Sequence, residues 1–321
     1  MKLTSWGETH LAPTMRVVAD NDFAGDPDGV IQLAHHLLSP SVEMRGIISS
    51  HLRDDDHWNR TGDSVTAGID AIQELLQVMG MKKPAPIVRG ADGPIESRLV
   101  PRDSDGARLI IQEAMRDDVT TPLYLVCGGS LTTLASAWLL EPRISSRMIV
   151  VWIGGGEYPG TTSPPPGAPV CEYNLYEDLI AGQVVFNDSD LQIWQIPRDT
   201  YRQCNASLAE LEIRMNQSGK LGKFLFNKVE AAVNLAIAVN NRFAEVYTMG
   251  DSALVLLTAL QNSFEPAPSS SKSIGRLRLT IENDGLYGKV VGNEEITVFT
   301  HLDVRLMQED LYAKLALHAI S

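Results

Sequence analysis

Cysteine is scarce in this chain. Cys127, Cys171 and Cys204 stand far apart among 321 residues, an odd number with no CxxC or other zinc spacing. That pattern excludes a disulfide framework and a thiolate metal site, and it predicts reduced thiols in a cytoplasmic protein. Long apolar runs are missing too: no segment approaches the roughly 18 consecutive apolar residues of a membrane span. Residues 1–14 hold a lone Lys2 and no apolar stretch, so they read as an N-terminal extension rather than a signal peptide. Positive charge is in deficit, with 27 Lys and Arg against 40 Asp and Glu and a formal net charge of −13. Such a balance disfavours nucleic acid or an anionic membrane as partner. It suits a small neutral ligand, with bound cations offsetting part of the charge. Walker-type and GxGxxG phosphate loops are also absent.

What remains is an ordinary globular composition, 44% hydrophobic and 21% charged, ample for a large core. Strand-like and helix-like segments alternate. Strands are expected at 16–19, 44–49, 87–88, 123–126, 148–153 and 191–196, and helices at 27–38, 62–78, 107–115, 131–140 and 181–186. Near-continuous apolar strands in repeated β–α order predict one α/β domain over 1–321, a mostly parallel central sheet covered by helices on both faces. Residues 208–260 read as largely helical, 269–273 as a Ser-rich loop, and 296–300 then 304–317 as a closing strand and helix. One long loop, Tyr158 to Val170, carries five prolines and two glycines. Loops of that length near strand ends serve as lids or as rigid surface segments.

The densest chemistry lies at the end of the first strand. Asp20, Asp22, Asp26 and Asp28 put four carboxylates within nine residues. Hard oxygen ligands in a tight turn suit Ca²⁺ or Mg²⁺, and sites in parallel sheets lie outside the carboxyl ends of strands. A plainer reading makes Pro27 the first helical residue, Asp26 its cap and Asp28 a first-turn acid. It leaves Asp20 and Asp22 without a role.

The segment Asp20–Asp28 resembles the N-terminal DxDxGxDD motif of the nucleoside hydrolases. Six further stretches resemble that family's motifs in the correct order: Gly46–Ser50, Ile87–Ala91, Cys127–Ala135 with the later Glu141–Arg143, Ile153–Gly156, Cys171–Asp178 and Gly250–Leu256. Each is weak alone; seven in order are specific. The resemblance implies a Ca²⁺ held by Asp22, Asp28, Asp251 and a backbone carbonyl near Gly128, with Asp26 a ribose contact or further ligand and Asp20 supporting the turn. It implies hydrolysis of the N-glycosidic bond of a riboside, the ion on the sugar's vicinal hydroxyls and a water, and Asp22 as general base. Glu172 and Asn174 match residues that hold the sugar's 5′ side. Homo-oligomerisation, as dimer or tetramer, is likewise expected from the family.

The chain departs from the pattern at several places: Pro27 splits the family's two adjacent aspartates, and the Pro-rich stretch from Tyr158 to Val170 lacks a sugar-contacting Asn. Many members carry a His before the C-terminal ligand Asp, and here Gly250 stands there. His51, Arg53, His57 and Trp58, all after the second strand, are the substitutes near the expected pocket. Arg53 falls where the family often has a ribose-binding Asn.

Two other functions compete. A haloacid-dehalogenase-type phosphatase would use Asp20 as nucleophile, Asp22 as acid and Mg²⁺, yet Val255 stands where its second late Asp belongs. A ribose-binding module without turnover would be consistent with the missing His.

Overall fold

In the computed structural model, which describes residues 12–59, 62–240, 244–262, 264 and 270–320, the apolar runs become the centre of an eight-stranded sheet. Its first half alternates strand and helix: β1 (Met15–Asn21), α1 (Asp28–Leu37), β2 (Val42–Ser49), α2 (Ser64–Val78), β3 (Ile87–Arg89), α3 (Asp105–Ala114), β4 (Leu123–Cys127), α4 (Thr132–Leu140) and β5 (Ile149–Ile153). Then come α5 (Tyr173–Glu177), α6 (Leu179–Gln183), β6 (Gln192–Ile196), α7 (Arg198–Tyr201), β7 (Asn205–Ser207), α8 (Leu208–Asn216), α9 (Gly219–Asn240), β8 (Val246–Thr248) and α10 (Ser252–Thr258). A hairpin of β9 (Lys272–Ile281) and β10 (Tyr287–His301), followed by α11 (Val304–Ala319), ends the succession.

Strand order is β3-β2-β1-β4-β5-β6-β10-β9, with parallel pairing from β3 through β10 and only the β10–β9 pair antiparallel. Side chains of a strand point alternately to its two faces. Val18, Ile48 and Leu125 therefore pack in the core under α3, α4 and α6, while Val17, Ala19 and Val126 pack toward α10. A third cluster joins α1, α2, α8, α9 and α11. Every residue of β1 and β4 is buried, as the absence of polar alternation in these strands requires.

The elements of the parallel half form where the pattern puts them, and the later chain is less regular. Residues 208–260 are broken by β8, which pairs antiparallel with β7. Lys272 and Ser273, placed by sequence in a Ser-rich loop, begin β9, and Ser269 lies outside the described residues. Helix α1 starts at Asp28 with Pro27 in the cap position, so Asp26 does not cap it.

The sheet order reverses direction between β1 and β4, because β1 leads outward to β2 and β4 leads the opposite way to β5. Loops leaving two such neighbours part to opposite sides and open a crevice at their carboxyl ends. Asp20 to Asp22 close β1 there, and Gly128 follows β4.

Candidate active site

A cavity of about 310 Å³ occupies this crevice, and Asp22, Asp26, Asp28 and Asp251 all line it. Asp251 arrives at the start of α10, some 230 residues downstream of β1, yet Asn21 Nδ2 donates to its Oδ2 at 2.8 Å. The Asp251 backbone N–H in turn donates to Asp28 Oδ2 at 3.1 Å. These bonds tie the two ends of the chain together at the acids themselves. Gly128 allows the approach: a Cβ there would sit 2.3 Å from Asn21 Nδ2 and 2.6 Å from Asp251 Oδ2. No other residue fits.

Behind Asn21 the polar contacts continue inward. The same amide also reaches Gln32 Oε1 at 3.4 Å, Gln32 Nε2 meets His36 Nδ1, and His36 Nε2 lies 2.9 Å from Thr258 Oγ1. Asp251 is thus oriented by a buried file of side chains from α1 and α10.

Electrostatically the floor is one-sided. Asp22 and Asp251 are 6% and 4% exposed. Burial pushes the Asp22 carboxyl well above its ordinary range, and Asp251, Glu177, Asp26 and Asp56 push it further. Asp251 is raised to about 7, chiefly by burial, with Asp26 and Glu172 adding to it and Asn21 opposing. Asp28 is half-open toward the cavity but enclosed by protein elsewhere, and burial together with Asp251 and Asp26 raises it well above the usual range. The charges acting on these three are all carboxylates. Uncompensated acids facing one cavity suit a hard divalent cation. Among the described residues no group of three or more His, Cys, Asp or Glu side chains is arranged to hold an ion by itself. Carbonyl and water oxygens would complete the shell, as is common for such ions.

The walls come from three loops. Asn174, which lines the cavity, donates from Nδ2 to the carbonyls of Gly128, at 2.9 Å, and Ile153, at 2.8 Å. Glu172 caps α5 through Leu175 N and accepts from Gly155 N at 2.8 Å and Tyr201 OH at 2.9 Å. Its carboxyl is raised by burial despite these donors. Asp26, at the solvent side, accepts from the Tyr247 hydroxyl. His57 and Trp58 line the cavity from the β2–α2 loop, and Tyr173, Tyr201, Thr248 and Gly250 complete it.

Two residues expected at the pocket lie elsewhere. His51 is 1% exposed, is not a lining residue, and burial holds it down at about 4. Arg53 stacks 4.1 Å from the Tyr176 ring centre and bonds to Asp56 at 3.1 Å. It lines a separate cavity of about 660 Å³ beneath the Pro-rich loop. Asp20 is also off the cavity: it is 1% exposed, accepts from Ser50, and burial raises it to about 7. Buried and off the cavity, Asp20 is not placed as the phosphatase nucleophile that the haloacid-dehalogenase reading needs.

This fold is that of known ribonucleoside hydrolases. It superposes on a purine-preferring ribonucleoside hydrolase from Gardnerella vaginalis with a TM-score of 0.72 at 16% identity, over 95% of this chain and 100% of that one. A plant nucleoside hydrolase gives 0.72 at 17% identity over 95% and 99%. The chain belongs to the inosine-uridine preferring nucleoside hydrolase family, whose family model matches residues 17–309. Relatives described as inosine-uridine preferring nucleoside hydrolases are 29% identical over 194 residues in Leishmania major and 27% over 205 residues in Crithidia fasciculata. Those matches cover 54% and 56% of this chain, and 57% and 58% of the relatives' own length.

Proposed function

We propose that the chain hydrolyses the N-glycosidic bond of a ribonucleoside or related riboside. The observation that carries this reading is the convergence of Asp22, Asp28 and Asp251 on one cavity at the β1–β4 crevice. The ion proposed for them is Ca²⁺, with the Gly128 carbonyl as a fourth protein ligand. When bound, it supplies the positive charge that keeps these carboxylates ionised and a Lewis acid for a sugar diol and a water.

The chain's own groups do the rest. Asp22 accepts the proton of the attacking water as general base. The ring of acids stabilises the cation-like sugar of the transition state, an effect strengthened by enclosure. Asn174 Oδ1 and Glu172 take sugar hydroxyls on the side away from the acids, and Asp26 takes one at the rim. Tyr173, Tyr201 and Trp58 keep bulk water out. The size and net acidity of the cavity favour a neutral riboside over a phosphorylated one. We further propose that the chain is one domain of a cytoplasmic homo-oligomer; its thiols, all free, are consistent with a reducing compartment.

Release of reducing sugar from inosine, uridine and a panel of other ribosides tests the reading. Asp22→Asn is expected to lower turnover by about 10²- to 10⁴-fold. If the unaltered protein releases no sugar from any member, the hydrolase reading falls, and binding of ribose analogues would then favour a ribose-binding module.

A further inference from the structure

Departure of a nucleobase leaves an electron pair on a ring nitrogen, and a poor leaving anion needs a proton as the bond breaks. Gly250 presents no side chain for this. Room is not the reason, because a Cβ there would meet Asp28 Oδ2 at 3.5 Å and Tyr201 at 3.6 Å, ordinary contacts. Several other proton-bearing groups of the cavity are already committed. The Tyr173 hydroxyl donates to Asp56 at 2.8 Å and the Tyr201 hydroxyl to Glu172 at 2.9 Å, and burial beside those acids pushes both phenols up. The aspartates form the floor.

His57 is the imidazole that lines the cavity. Its ring lies 5.0 Å from the Trp58 ring at 42° and edge-on to Tyr173 at 6.5 Å. Nδ1 lies 3.7 Å from Asp56 Oδ1, an ion-pair distance when the imidazole is protonated. The Asp56 side chain is wholly buried and fixed by three donors: Tyr173 OH and Trp58 N at 2.8 Å, and Arg53 Nη2 at 3.1 Å. With Asp56 on the Nδ1 side, the ring's other nitrogen, Nε2, is not taken up by that carboxylate. The His57 side chain is 63% exposed, so solvent can return its proton after each turnover.

We propose that His57 is the acid that protonates the departing base and that Asp56 is its positioning residue. This rests on the glycosidic reading above. The C1′–N bond breaks with its pair going to the base, and the His57 Nε2 proton goes to the same base. Water oxygen forms the new bond to C1′ and its proton goes to Asp22. Riboside and water become ribose and neutral base, and both side chains re-equilibrate with solvent.

The test compares a leaving group that needs a proton with one that does not. His57→Gln is expected to lower kcat/KM for inosine and uridine by about 100-fold or more. It should leave 4-nitrophenyl riboside within about threefold, since nitrophenolate departs unprotonated. Asp56→Asn should give the same selectivity at smaller size. Equal losses on both substrate types, or no loss on either, would overturn the assignment. Failure of the unaltered protein to cleave either type would instead strike the glycosidic reading itself.

Discussion

Asn21 serves two acceptors with one amide nitrogen, Asp251 in the cavity and Gln32 behind it. Its loss would leave a buried carboxylate without its donor and open the file that runs to Thr258. Asn21→Ala is therefore expected to destabilise the protein by about 1–3 kcal/mol in urea unfolding. Calcium affinity should fall by about 10- to 100-fold, because ligand orientation depends on such supporting bonds, and calorimetric titration would measure it. Nothing beside Asn21 in the sequence announces this role, since its partner lies 230 positions away. The same holds for Tyr247 on Asp26 and Tyr201 on Glu172. The acids Asp22, Asp28 and Asp251 are different. The crowding of the first two and the motif context of all three mark them as candidates in the sequence.

At the scale of elements, burial decided what could be read. The parallel strands are apolar on both faces, so they stand out as runs. Strand β9 is the sheet edge, and it and much of β10 are exposed and polar, so only 296–300 of this hairpin stands out in the sequence as a strand. A turn signal was present all the same: Asn283, Asp284 and Gly285, with Gly285 at φ 81° and its N–H bonded to Glu282 O at 3.0 Å. Helix α3 illustrates a local rule, its cap Ser104 accepting from Ala107 N at 3.1 Å. Ser104→Ala should lower stability by about 1 kcal/mol in the same unfolding measurement. The Pro-rich loop is pinned by a buried pair, Arg198 with Glu157 at 2.6 Å, and by Arg198 Nη1 on Pro169 O at 3.0 Å. Arg198→Ala strands Glu157 in the interior. The expected loss is about 3–5 kcal/mol, together with faster proteolytic cleavage between 158 and 170.

For the molecule as a whole, the acidic floor governs the response to pH. Asp20 and Asp251 are raised to about 7 by burial, and Asp22 and Asp28 are raised as well. The folded protein without a cation therefore holds protons that the unfolded chain releases from about pH 4 upward. The contribution of these acids to stability falls as pH climbs from that value toward 7, because each holds its proton longer in the native state. Thermal unfolding in chelator should give a lower midpoint at pH 8 than at pH 5. Saturating calcium should raise the pH 8 midpoint most, since the ion stabilises the ionised acids. A midpoint in chelator that rises with pH would contradict this picture of the floor. The contact of Gly128 with Asn21 and Asp251 has a consequence at this scale too. Gly128 directly follows the wholly buried strand β4, whereas Trp58 sits in the β2–α2 loop and Thr248 ends the short strand β8. Substitutions at Trp58 or Thr248 can therefore reshape which bases are admitted without disturbing the spacing of the acids.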